Sequence, residues 1–134
     1  MIYVGIDTGK NTGVAIWKDD HFLAIDTMMI HQAMGVVLDL KKMYAGDLFV
    51  IFEDARQRKY FGDSGREKWQ GAGSIKRDAV IWEDFLTDNE IQFRALPPTK
   101  GATKLSSKTF QNLTNWKGRT SEHARDAAML VFGR

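Results

Sequence analysis

The sequence contains no cysteine. Disulfides and thiolate metal centres are therefore excluded, and the composition fits a reducing compartment. No apolar run approaches the roughly 18 residues needed to span a bilayer. The N-terminus enters a strand-like run directly, without the basic-then-apolar pattern of a secretory leader, so the expected location is cytoplasmic. Internal repeats, low-complexity tracts and interdomain linkers are lacking. Residues 1–134 are expected to form one domain with a sizeable core. Acidic residues are missing from Ile91 to Ser121, where Arg94, Lys100, Lys104, Lys108, Lys117 and Arg119 all fall. The net charge of +2 conceals this asymmetry: residues 1–54 hold four basic and eight acidic residues, residues 55–134 fifteen and nine. Segregated positive charge suits a polyanionic partner, and equally a solvated basic face.

What is present begins with IYVGIDTGKNTGVAIW, from Ile2 to Trp17. A run of β-formers ends on Asp7, a glycine turn follows, and GVAIW reads as a partner strand. HFLAIDTMMI reads as a third strand, completing an antiparallel meander. In HQAMGVVLDLKKMY the period changes. Ala33, Val36, Val37, Leu40, Met43 and Tyr44 recur at helical steps and predict an amphipathic helix. LFVIFE is a fourth strand, apolar on both faces as a helix-covered parallel strand should be, and it too ends on a carboxylate, Glu53. Residues 54–77 carry seven basic residues and four glycines. Their early part reads as a long exposed loop, with a helix from Ser74 to near Asn89. IQFRAL is a fifth strand, stopped by Pro97 and Pro98. SSKTFQNLTNW predicts a short helix with Phe110 and Leu113 facing inward. TSEHARDAAMLVF predicts a last helix with Thr120 or Ser121 as N-cap. The order implies a mixed α/β sheet with helices on both faces.

If the first and fourth strands are parallel neighbours, Asp7 and Glu53 close adjacent central strands, the edge where open α/β sheets place their sites. Two carboxylates there repel unless a cation neutralises them, and oxygen donors without thiolates suit Mg²⁺ or Mn²⁺. His123 and Asp126 lie three residues apart, on one face of the last helix. Four groups are thus expected to converge. Competing readings are plain: Asp7 as a turn cap, Glu53 as a surface acid, His123 as a helix-terminal residue bonded to a neighbour. Trp82, Phe85 and Phe110 read as core. Trp116, beside Lys117 and Arg119, fits either core or base stacking.

GIDTGKNTGVAI, VIFEDAR and HARDAAML, in that order, resemble a RuvC-type Holliday junction resolvase of the RNase H-like (retroviral integrase) superfamily. PPTK and SSKTF match more weakly. Asp54 stands where resolvases often carry Gln, and the compact length resembles phage-type members. The resemblance implies an RNase H-like five-stranded sheet, a meander of strands one to three with parallel strands four and five. It implies a homodimer acting on four-way DNA junctions in recombination and repair. Its chemistry is two-metal phosphodiester hydrolysis, with two Mg²⁺ ions about 3.5–4 Å apart. Asp7 would bridge the ions, Glu53 would hold one, and Asp126 with His123 the other. Lys108 would stabilise charge developing on the phosphate. Arg56, Arg58, Lys59, Arg66, Lys68, Lys76, Arg77, Lys100, Lys104 and Lys108 would contact DNA phosphates, and Tyr60 and Phe61 unpaired bases.

Several rivals are weaker. DTG after a β-run suggests a retroviral-type aspartic protease, but Lys10 follows Gly9 and the helical patterns do not suit that all-β fold. A Walker loop needs glycine at position 4 and Ser or Thr at position 11, where Val4 and Asn11 stand. Actin-like ATPases share the GIDxG opening but need a far longer chain. Within nucleic-acid chemistry the alternatives are a broader nuclease on flaps or RNA–DNA hybrids, or a non-catalytic binding module.

Overall fold

Ile2, Val4 and Ile6 alternate with Tyr3, Gly5 and Asp7, and the alternation becomes β1 (Ile2–Asp7), covered on both faces. The structure, a computed structural model, describes residues 1–57, 66–98 and 105–134, with residues 66–72 and 75 described in their backbone alone. Gly9, at φ +153°, carries the turn after β1 in a conformation that side chains disfavour. β2 (Asn11–Lys18) returns antiparallel, pairing Asp7 with Gly13. It starts two residues before the expected GVAIW, because Thr12 is fully buried and its hydroxyl donates to the carbonyl of Gly9 at 2.8 Å. β3 (His21–Met29) completes the meander after a turn through Asp19 and Asp20, both left-handed.

β3 runs straight into α1 (Ile30–Tyr44), whose entry is capped by the Met29 amide donating to Gln32 Oε1 at 3.0 Å. Ala33, Val37 and Leu40 are buried on the sheet, but Met43, expected inward, is 69% exposed. The three-and-four pattern drifts around the helix, and its last turn lies past the covered surface. β4 (Leu48–Glu53) is parallel to β1. A single 3₁₀ turn, Ala55–Gln57, follows it. α2 (Arg66–Asp88) begins eight residues before the expected start at Ser74. Gly71 and Gly73 suggested a loop, since each costs about 1 kcal/mol in a helix. Ala79, Trp82 and Leu86 anchor the later half in the core, and once a helix is nucleated each added residue gains a hydrogen bond.

β5 (Gln92–Leu96) lies parallel to β4, and α3 (Ser107–Thr114) and α4 (Glu122–Val131) close the described chain. The sheet order is β3-β2-β1-β4-β5, with β1 at the centre. This is the mixed α/β arrangement expected: an antiparallel meander joined to two parallel strands. One face packs Ile2, Val4, Ile6, Val50 and Phe52 against α1 and α2, with Trp82 fully buried. The other packs Ala15, Trp17 and Ile51 against Phe110 and the alanines of α4. Phe110 faces inward as expected, but Leu113 is 49% exposed, because this eight-residue helix rests on the single anchor Phe110. Among the described residues no helix is long and apolar enough to cross a membrane.

Candidate active site

The β1–β4 register runs from Ile2 beside Leu48 to Ile6 beside Phe52. Asp7 and Glu53 are the next residues on these strands, so both acids stand at the carboxyl ends of neighbouring central strands. The period of two places Asp7 on the face of Gly5, and Glu53 on the face of Ile51. Ile51 packs in the α4 layer, so both acids belong to the α4 side of the sheet.

Two glycines decide how close α4 comes. A Cβ at Gly13 would lie 2.0 Å from the backbone oxygen of His123, and one at Gly5 would lie 2.1 Å from that of Ala127. His123 and Ala127 are one helical turn apart, so α4 rests its backbone on the two strands at successive turns. Ala124, Ala127 and Ala128 are fully buried and small enough to permit this approach. Gly13 is the cross-strand partner of Asp7, so the helix touches the sheet directly beside the acid. His123 Nδ1 accordingly lies 2.9 Å from Asp7 Oδ2, with the imidazole about half-exposed at 48%. The N-cap is Ser121, one of the two expected candidates. Its hydroxyl accepts from the Ala124 amide at 3.1 Å and is hydrogen-bonded to Thr27 of β3, which fixes the start of α4 at the acid-bearing edge. Asp126 follows within one turn and is half-buried.

The structure thus joins Asp7 and His123 directly, sets Glu53 on the adjoining strand, and sets Asp126 on the helix that carries His123. The carboxylate oxygens suit a hard divalent cation such as Mg²⁺ or Mn²⁺, while the imidazole is a softer donor. Among the described residues, no three His, Asp or Glu side chains are gathered into a ready metal cage.

The basic residues divide differently. Arg56 is engaged within the protein. Its Nε and Nη2 donate to the two carboxylate oxygens of Asp54 at 2.9 and 2.8 Å, and Nη2 also reaches Glu83 of α2 at 2.5 Å. Asp54, on the opposite side of β4 from Glu53, is buried at 3% exposure. The Arg56 guanidinium holds its carboxyl below the ordinary range, against the opposing effect of burial. Asp54 first, and then Glu83, in turn push the Arg56 pKa up. Arg77 is exposed on α2 and donates to Ser74 Oγ at 3.1 Å, while Lys76 is half-buried. Lys108 is exposed in the first turn of α3. Arg58, Lys59, Tyr60, Phe61, Lys100 and Lys104 lie outside the described residues, as do the side chains of Arg66 and Lys68. Trp82 and Phe110 are core, as expected, and Phe85 packs edge-on against Trp82 at 5.7 Å. Trp116 resolves to packing, edge-on to Phe22 at 6.3 Å.

Sequence reasoning missed Arg125. Its Nε donates to the Leu105 carbonyl at 2.9 Å, and its Nη1 to the Thr120 carbonyl at 2.7 Å and the Thr120 hydroxyl at 3.1 Å. No local pattern marks such a residue, since one target lies twenty positions away.

No family model matches the chain, and no curated protein matches it. Among solved structures, the chain is similar to a fowlpox virus resolvase crystallised in complex with its substrate Holliday junction DNA. The identity is 16%, the TM-score is 0.46, and 97% of each chain is covered.

Proposed function

We propose that this protein is a metal-dependent endonuclease that resolves four-way DNA junctions by phosphodiester hydrolysis. The observation that carries the reading is the seating of α4 on Gly5 and Gly13, which brings His123 to 2.9 Å from Asp7 at the strand edge that Glu53 also occupies. A carboxylate pair closing adjacent parallel strands, met by a His–Asp helix, is the arrangement that the RuvC-type sequence motifs call for.

Asp7, Glu53, His123 and Asp126 would hold Mg²⁺ or Mn²⁺, two ions per site, which when bound supply water activation and neutralise charge at the scissile phosphate. The remaining work falls to the chain. The Asp7 carboxylate fixes the orientation of the His123 ring, and Ser121 fixes the helix beneath it. Lys108, exposed at the start of α3, supplies a cation for the charge that grows on the phosphoryl oxygens. The basic, acid-free stretch from Ile91 to Ser121 would neutralise phosphates flanking the cut, so binding weakens as salt rises. Paired incision of a junction calls for two such sites, and hence for a homodimer.

The test is cleavage of labelled four-way junction, flap, linear duplex and RNA–DNA hybrid, in Mg²⁺, Mn²⁺ or EDTA, by wild type and Asp7→Asn. The expected outcome is paired symmetric nicks in the junction, abolished by EDTA and reduced to background in Asp7→Asn, whose fold and junction binding persist. Cutting of flaps or hybrids in preference to the junction would shift the assignment to a broader nuclease. Asp7→Asn cutting at the wild-type rate would remove the site.

A further inference from the structure

A half-buried guanidinium usually meets a carboxylate. Among the described residues, Arg125 instead makes three hydrogen bonds to uncharged oxygens of two chain segments. Leu105 immediately precedes Ser106, the N-cap of α3, and Thr120 immediately precedes Ser121, the N-cap of α4. One side chain therefore ties together the residues that launch both helices. The guanidinium suits this task because its donors are fixed in a plane and point along different edges; a lysine ammonium offers no such fork. Arg125 is itself flanked by the proposed site, with His123 two residues before it and Asp126 directly after. On the other side of the tether, Lys108 lies three residues beyond Leu105.

Among the described residues, α3 is fastened at two kinds of place. Phe110, fully buried, packs toward Phe22 at 6.3 Å, and the Arg125 tether holds the entry. Without the tether the start of the helix, and Lys108 with it, would be free to shift about Phe110.

We propose that Arg125 is a positioning residue that sets Lys108 relative to the Asp7–His123 edge by holding the starts of α3 and α4 in one guanidinium fork. The proposal rests on the nuclease reading for its consequence, but its physical content can be read independently of activity. Arg125→Met keeps much of the aliphatic bulk and loses every donor; Arg125→Lys keeps the charge and loses the fork.

The experiment combines single-turnover cleavage at saturating enzyme, junction affinity by fluorescence anisotropy, and amide hydrogen exchange. Arg125→Met is expected to slow cleavage about 10- to 100-fold, as small misplacements of a reacting group do, with Kd changed less than about threefold. Arg125→Lys should not restore the rate. In a Lys108→Ala background, Arg125→Met should slow cleavage by no more than about twofold, because both changes act through one side chain. Rate losses that multiply, or a Kd that moves in step with the rate, would overturn the proposal. Exchange is the activity-independent arm. The Thr109 and Phe110 amides, bonded to the Ser106 hydroxyl at 3.1 Å and carbonyl at 2.9 Å, should exchange faster in Arg125→Met while the β1 amides do not. Unchanged exchange there refutes the tether even if the wild type cuts nothing. Faster exchange in a protein that cuts nothing would uphold the tether and discard the nuclease reading.

Discussion

Gly13→Ala adds a single methyl group at the point where α4 touches the sheet. The new Cβ would sit 2.0 Å from the His123 carbonyl oxygen and 3.0 Å from the Ala124 nitrogen. Both are backbone atoms, so no side-chain rotation relieves the contact, and α4 must retreat by about 1 Å or more to reach even a tight separation of 3.0 Å. Overpacking of this kind costs about 1–3 kcal/mol. For a domain of this size that lowers Tm by roughly 3–12 °C. Because His123 and Asp126 ride on the helix, the retreat also moves proposed site residues, and a 1 Å displacement is worth up to about 100-fold in rate. Gly35→Ala is the control. It makes the same chemical change in mid-α1, where an added Cβ meets nothing within 4 Å. It should stabilise the protein by about 0.5–1 kcal/mol through helix propensity. Paired thermal melts and junction-cleavage rates on the two variants give the answer. Opposite signs in Tm, with activity lost only in Gly13→Ala, are expected. A Gly13→Ala protein that melts with the wild type and cuts at full rate would refute the claim that glycine at this position sets the site.

The Asp54–Arg56–Glu83 cluster makes an acid-side prediction. Asp54 titrates below its ordinary value of 3.8, so its contribution is fully present above that pH and is lost as the pH falls through the depressed value. Arg56→Met should flatten the acid limb of a Tm-against-pH curve below about pH 4, and at pH 7 should cost about 1–3 kcal/mol, toward the lower end because the Arg56 side chain is 32% exposed. The same variant should leave the salt dependence of junction binding unchanged, since Arg56 is already neutralised by carboxylates; a slope reduced by about one would place it on phosphate instead. In α3, Phe110→Ala should cost about 3–5 kcal/mol and Leu113→Ala less than about 0.5 in denaturant titrations, because one is fully buried and the other 49% exposed.

The strand-end acids were legible because the signal is local. A short apolar run followed by Asp7 or Glu53 carries both the strand and its end, and the helical spacing of His123 and Asp126 carries their shared face. The small residues of HARDAAML were equally visible, yet their purpose was not. Gly5 and Gly13 read along the chain as parts of β-runs, and only the arrival of Ala127 and His123 from more than a hundred residues away shows what the missing Cβ atoms allow. Long-range pairing also explains Arg56. Its surroundings in sequence are basic and suggested DNA, while Glu83, 27 residues on, claims the guanidinium. The early start of α2 was hidden by Gly71 and Gly73, whose local preference is outweighed by the anchoring of Trp82 and Leu86. Met43 and Leu113 fit their helical patterns but fall past the edges of what the sheet covers.

The placement of β1 at the centre of the sheet has a temporal consequence. β1 leaves the ribosome well before α4, which must dock on it, and the Asp7–His123 contact spans 116 positions of the chain. Closing so large a loop is among the slower steps available to a small domain. During synthesis at about 5–20 residues per second, the glycine-lined face of β1 and β2 waits several seconds for its cover after it emerges. The α1 and α2 layer can consolidate in that interval, and the edge carrying Asp7 and Glu53 gains its histidine only when residues 122–131 arrive. A nascent chain not yet extended through α4 would thus carry both strand-end acids without the helix that completes their surroundings, a built-in delay that ties assembly of the edge to synthesis of that one element.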